Sequence, residues 1–379
     1  MKSEKTKSNL YDKVIKKLQN LSFPRRREST APNSNLQNNL KTVDPRLRGD
    51  DNTADENISS RENEFDIIAK YFSPLAKKFP GAMNLTDDAA ILPYENGYDF
   101  VVTKDLITEG THFLKTDSAA TLARKILGVN ISDLAAMGAE PVAYLLGLVL
   151  PKTTNEKWLA DFSLALQKGI SEFGGHLIGG DTTSTTGGIS LSLTAIGKVK
   201  KGKSLTRAGA KIGDKIFVSG TIGDSYLGLQ VALGKISLPK KAHDYFLDRY
   251  NIPQPRIKLG RELVGIATSC IDISDGLVAD LKHICECSAV GAEIYAEKIP
   301  LSSLTSQSLV LLEDMITAGD DYELLFTCPA NKSTKAKAIA KKIGLQITQI
   351  GEITQGKKVN LLDINGKKIA LKKEGYKHF

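Results

Sequence analysis

Cysteine and histidine are scarce in this chain, four and five among 379 residues. Cys270, Cys285, Cys287 and Cys328 make one C-x-C and two singles, so neither the C-x-x-C spacing of a zinc site nor a disulfide framework is present. No apolar run approaches the roughly 18–20 residues that a membrane span needs. The first twenty residues carry charges where a secretory signal would carry an apolar core. A cytoplasmic protein without a membrane partner is the expectation. Aromatic residues are missing from the basic clusters at 24–27, 198–203 and 367–373. The formal net charge of +8 therefore lacks the continuous stripe or reader motif of a nucleic-acid binder, and no nucleic acid is expected as a partner.

What is present is an ordinary globular composition, 41% hydrophobic and 25% charged, in a chain long enough for two cores. Residues 21–63 stand apart, with three prolines, many Asn and Ser, and almost no apolar periodicity. Such a segment cannot bury enough surface to offset its ordering entropy, so 1–63 reads as an arm with a disordered insertion over about 21–63. That insertion resembles peptides translated from mobile palindromic repeats. Order is expected to begin with a helix over 64–79. The apolar patterns then predict strands over 99–107, 142–150 and 189–199, and helices over 118–141 and 156–173. After a basic turn at 200–203 the pattern restarts, with strands over 215–220, 270–273 and 322–328. Helices are expected around 224–234 and over 276–285 and 332–343. This is a mixed α/β (α+β) chain with domains at 64–200 and 201–379.

The chemistry rests on acids. "LIGGDTTSTTGG" (177–188) sets Asp181 among glycines and hydroxyls, which suits a polar turn, a phosphate loop or a metal site. Asp88 precedes an apolar run, Asp105 ends one, and Asp272 and Asp275 bracket a strand–helix junction. Asp133 lies in an apolar helical stretch, three residues after Asn130 and on its face. An unpaired buried carboxylate is costly and either neutralises or finds a cation. With no His or Cys cluster beside the acids, a hard cation such as Mg²⁺, shared with a nucleotide phosphate, explains the set and favours the site reading of Asp181. "GKVKKGKS" (197–204) matches the P-loop pattern literally. The residues after it make a poor helix, so a basic hairpin or interdomain turn is expected there.

The ordered motifs "DDAAIL", "D-x-x-x-x-G-T-H-F" (105–113), "VNISDLAAMGAEP", "LIGGDTT", "LTRAGAKIGD", "PQPR", "IDISDGL", "DDYELLF" and "GYKHF" carry a resemblance. From about residue 64 onward the chain resembles the thiamine-monophosphate kinases, relatives of aminoimidazole ribonucleotide synthetase and selenophosphate synthetase. The resemblance implies a two-domain synthetase-like fold: a mixed α/β domain with a dimer-forming sheet, then a C-terminal α/β domain. It implies ATP-dependent phosphorylation of thiamine monophosphate by a homodimer with several Mg²⁺ ions. Asp88, Asp105, Asp133, Asp181, Asp272 and Asp275, with Thr103, match the metal ligands. Gly180, Asp181, Arg207 and Ser274 match nucleotide contacts. His112, Asp320 and Tyr376 match substrate contacts, although a packed structural role for His112 stays open. Thr86, Lys104 and Asp320 depart from the pattern, where a glycine, a hydroxyl residue and a glutamate are usual. Two other outcomes are compatible with the superfamily motifs: a synthetase acting on another substrate, or nucleotide binding without turnover.

Overall fold

A computed structural model describes residues 83–84, 86–93, 97–308, 310–373 and 375–376. The expected arm over 1–63 and the helix expected over 64–79 lie outside the described residues.

Two sheets organise the rest. The first contains β1 (Ala90–Pro93), β2 (Tyr98–Thr108), β3 (Glu140–Pro151), β4 (His176–Thr185) and β5 (Ser190–Lys200) in the order β1-β2-β5-β3-β4. β3 and β4 run parallel and the other neighbours antiparallel. The second contains β6 (Lys215–Ser219), β7 (Ser269–Asp272), β8 (Gly291–Tyr295), β9 (Leu324–Cys328), β10 (Ile347–Thr354), β11 (Val359–Leu362) and β12 (Lys368–Ile369). Their order is β12-β11-β8-β10-β6-β9-β7. The helices are α1 (Ala119–Ala136), α2 (Glu156–Phe173), α3 (Asp224–Ala232), α4 (Lys240–Asn251), α5 (Ile257–Leu263), α6 (Leu277–Ser288), α7 (Leu312–Thr317) and α8 (Ser333–Lys342).

Period-two patterning decides the sheet faces. In β5 buried and half-buried residues alternate along nearly the whole strand. In β2, Val101, Thr103 and Ile107 are buried with Asp105 half-buried between them, while Lys104 and Leu106 are exposed. Thr103 and Asp105 are therefore polar residues on a core-facing side. α1 is apolar around most of its girth, with Leu122, Ile126, Leu127, Val129, Ile131 and Leu134 buried, and such a helix has to lie between layers. It packs on β2 and β5, on α2, and toward its end on α5 and β7. Ser118 caps it by accepting from the Thr121 N–H, and Gly138 (φ +68°) turns the chain away. A side chain at Gly260 of α5 would sit 1.9 Å from the Ala135 carbonyl oxygen, so the two helices meet backbone to backbone.

The expected α2 has the bounds read from the sequence. The stretch left open as a loop, 177–188, is mostly strand β4. Helices α4, α5 and α7 were not anticipated. Among the described residues no helix is long and apolar enough to cross a membrane.

Candidate active site

α1 and β2 build one side of the site. The Thr103 hydroxyl donates to the Asp133 carboxylate, joining strand to helix. One turn before Asp133, the buried Asn130 donates to the Ile126 carbonyl at 2.9 Å and accepts from the Asp105 N–H at 3.2 Å. Asp88 enters from the segment before β1, and its carbonyl oxygen lies 3.4 Å from the Thr103 hydroxyl. Asp272 arrives from the other sheet, at the end of β7. Carboxylate oxygens of Asp88, Asp133 and Asp272 lie within 4.8 Å of one another.

So many acids in one place disfavour their own charges. Burial, then the charge of Asp88, pushes the Asp272 carboxyl up to about 8. Burial also lifts Asp105 to about 6, helped by Asp88 against a hydrogen bond with Asp133. Asp133 is pushed well above the usual carboxylate range, by burial and then by Asp105, Asp272 and Asp88. The near counter-charge is Arg207. Its Nη2 lies 2.6 Å from Asp88 Oδ1, and its backbone N–H donates to Asp87 Oδ2 at 3.2 Å. Burial works against the guanidinium's charge, but Asp88 and Asp87 outweigh it. Asp88 Oδ2 and Asp105 Oδ2 are buried without a hydrogen-bond partner. An all-oxygen donor set with orphaned carboxylate oxygens fits a hard divalent cation.

Beside the acids opens a cleft of about 860 Å³, lined among others by Asp105, His112, Arg207, Ser274, Asp275, Asp320 and Tyr376. Two loops of the second domain hold each other there. Asp320 and Tyr322 donate their N–H groups to the carbonyls of Ser274 and Ile273, both at 2.8 Å. A side chain at Gly319 would strike the Ser274 oxygen at 1.9 Å. Asp320 and Tyr322 take φ of +69° and +51°, strain that the surrounding contacts must hold. The Tyr322 hydroxyl donates to Asp320 at 2.9 Å, and the Tyr376 N–H donates to the Asp275 carbonyl at 2.9 Å. His112 Nδ1 accepts from the Thr108 N–H at 3.1 Å, which fixes its ring at the cleft wall.

Gly180 and Asp181 are not brought to this cleft. They lie on β4, an exposed strand at the end of the first sheet whose neighbour among the described residues is β3. Asp181 Oδ1 accepts from the neighbouring Thr182 N–H at 2.8 Å. A Cβ at Gly180 would lie 1.9 Å from the Leu146 oxygen, so strand packing alone requires that glycine. The P-loop-like stretch runs from the end of β5 into a turn, with Gly202 donating to Asp99 at 2.8 Å, and the next helix begins only at Asp224. The Lys104 ammonium donates to Ser192 rather than entering the acid group.

Sequence reasoning missed two contributors. Asp280 Oδ2 accepts from the N–H groups of Asp275 and Gly276, both at 3.1 Å, and so shapes the loop that presents Asp275. Its only signal was an acid on the apolar face of α6. Lys125 is buried behind the cleft, on a helix where a lysine would ordinarily be read as solvated.

The two domains are of the AIR synthase related class: the N-terminal domain of that family matches residues 86–199 and the C-terminal domain residues 211–364. The thiamine-monophosphate kinase of Buchnera aphidicola subsp. Acyrthosiphon pisum is 40% identical over 83% of this chain and 98% of its own length. That of Haemophilus influenzae is 41% identical over 77% of this chain and 89% of its own. The solved structure of AaThiL complexed with AMPPCP and TMP superposes with a TM-score of 0.74 at 29% identity, covering 85% of this chain and 100% of that one. The chain belongs to the thiamine-monophosphate kinase family.

Proposed function

We propose that this chain transfers the terminal phosphoryl group of ATP directly to thiamine monophosphate, giving thiamine diphosphate. The observation that carries the reading is the meeting of Asp88, Asp133 and Asp272, from both domains, beside a cleft lined by Arg207, Ser274, His112, Asp320 and Tyr376.

Asp88, Thr103, Asp105, Asp133, Asp272 and Asp275 are the proposed holders of Mg²⁺. Asp181 as ligand and Gly180 as nucleotide contact rest on the family motif alone, since β4 lies away from the cleft. Bound at these oxygens, the metal ions supply charge neutralisation between the two reacting anions. The protein's part is alignment. Arg207 and Ser274 hold the nucleotide phosphates, while His112, Asp320 and Tyr376 hold thiamine monophosphate, with the Tyr376 ring available to stack on an aromatic ring of thiamine. A phosphate-monoester oxygen is already ionised near neutral pH, so no general base is required to activate it. In-line transfer without a covalent enzyme intermediate follows.

The proposal extends to a cytoplasmic homodimer, with domains at 64–200 and 201–379 and the dimer formed through the first sheet. The exposed edge of β4 supports that surface. Incubation with Mg-ATP and thiamine monophosphate, with products separated by chromatography, tests the reaction. ATP binding without formation of thiamine diphosphate would sink it.

A further inference from the structure

The side chain of Lys125 is only 2% exposed, yet it carries an ammonium group. Nζ donates to the His112 carbonyl at 2.8 Å, lies 3.9 Å from the centroid of the Tyr250 ring, and stands 3.8 Å from Asp320 Oδ2. Those three residues all line the cleft. They arrive from the β2–α1 connection, from the end of α4 and from the loop before β9. An ammonium withdrawn from water is costly, and a Met of similar length would fill the same space without that cost. Its charge therefore has to be matched by what surrounds it: a carbonyl dipole, an aromatic face and a carboxylate.

The geometry is selective. Asp320 is held at both oxygens, Oδ1 by the Tyr322 hydroxyl at 2.9 Å and Oδ2 facing Lys125. Arg207, in contrast, is held by Asp87, Asp88 and Thr86, none of which is a partner of Lys125. We propose that Lys125 is a positioning residue for the thiamine-monophosphate half of the site: its ammonium locks His112, Tyr250 and Asp320 into one wall, while Arg207, on the nucleotide side, is held by other partners. This rests on the reaction proposed above and adds a residue that acts only through others.

Steady-state kinetics of Lys125→Met, with each substrate varied in turn, test it. Loss of a buried charged hydrogen bond behind the wall should raise KM for thiamine monophosphate about tenfold or more, with KM for ATP moving less than about twofold. Thermal melting reports separately on folding. Where the Met variant does not fold, Lys125→Arg keeps the charge, but its planar guanidinium cannot occupy the ammonium's position. It should shift the same KM in the same direction. Unchanged KM for thiamine monophosphate in a folded variant, or an equal rise for both substrates, overturns the inference. If the parent chain makes no thiamine diphosphate, the proposed reaction falls and this inference with it. If the parent is active and the two KM values do not separate, the inference alone falls.

Discussion

Arg207 Nη2 stands 2.6 Å from Asp88 Oδ1, so the segment that follows the first sheet is tied to the residues that precede it. The Ser288 hydroxyl steadies that segment by donating to the Arg207 carbonyl at 3.2 Å and accepting from the N–H groups of Gly209 and Ala210. α6 thus has the Asp275 loop at its start and the Arg207 loop at its end. Arg207 is the cation that lets Asp88 remain beside Asp133 and Asp272, and it also faces the cleft.

Arg207→Ala should therefore weaken ATP use, raising KM for ATP by roughly tenfold or more as a charge-assisted contact is lost. Lys203→Ala should leave most of the activity, because Lys203 is exposed in the turn after β5 and no helix begins there. Kinetics of the two variants side by side check this ranking, and the reverse order would restore a P-loop role to Lys203.

Asp133→Asn preserves shape while removing a carboxyl whose charge burial and the neighbouring acids disfavour. Activity should fall by about a hundredfold or more, the scale of several kcal/mol of lost transition-state stabilisation. The metal-free protein should melt no earlier than the parent, since a neutral amide replaces a carboxyl that burial and the neighbouring acids already disfavour as an anion. Early melting together with parental turnover per folded molecule would make Asp133 a structural residue only.

Metal-free stability should fall as pH rises from about 6.5 to about 8. Burial lifts Asp272 to about 8 and Asp87 to about 7, from an ordinary 3.8. Between the ordinary and lifted values the folded chain keeps protons that the unfolded chain has released, so that stability is present at the acid end and lost with rising pH. His283, lowered by burial to about 4 from 6.5, acts in the opposite sense, but only below 6.5. Melting curves in EDTA should show the decline, and Asp272→Asn should flatten it. A parental melting temperature that rises across this window would contradict the crowding of these acids.

Glu323 should be a stability residue. It is fully buried and accepts from the Ser219 hydroxyl at 2.6 Å, Arg249 Nη2 at 2.9 Å and Arg256 Nε at 2.6 Å. Glu323→Gln leaves the two arginines without their shared anion, at a cost on the order of 3 kcal/mol. Denaturant unfolding measures it, and a loss below about 1 kcal/mol would mean that Asp224 and Asp321 take over the pairing.

Much of this protein was legible along the chain. The period-two runs of β2 and β5 and the helical run of α2 are local patterns, read from neighbours in sequence. Asp133 was legible for a related reason: a carboxylate within an apolar helix has to be satisfied wherever that helix goes. Helix α4 was not read from the sequence although Ala242, Phe246, Arg249 and Tyr250 share one face at helical spacing, because that face includes an arginine whose partner, Glu323, comes from a distant segment. The same holds for the site. Asp88, Asp133 and Asp181 look alike beside their strands, helices and glycines, yet the fold gathers the first two with Asp272 and leaves Asp181 on an exposed edge. Lys125 shows the limit most clearly. By itself the sequence determined the polar residues that would need partners, since burial and spacing are local properties. Only the tertiary structure decided which partners they meet, because an ion pair or a cluster of acids depends on distances between segments that have no fixed separation until the chain has folded.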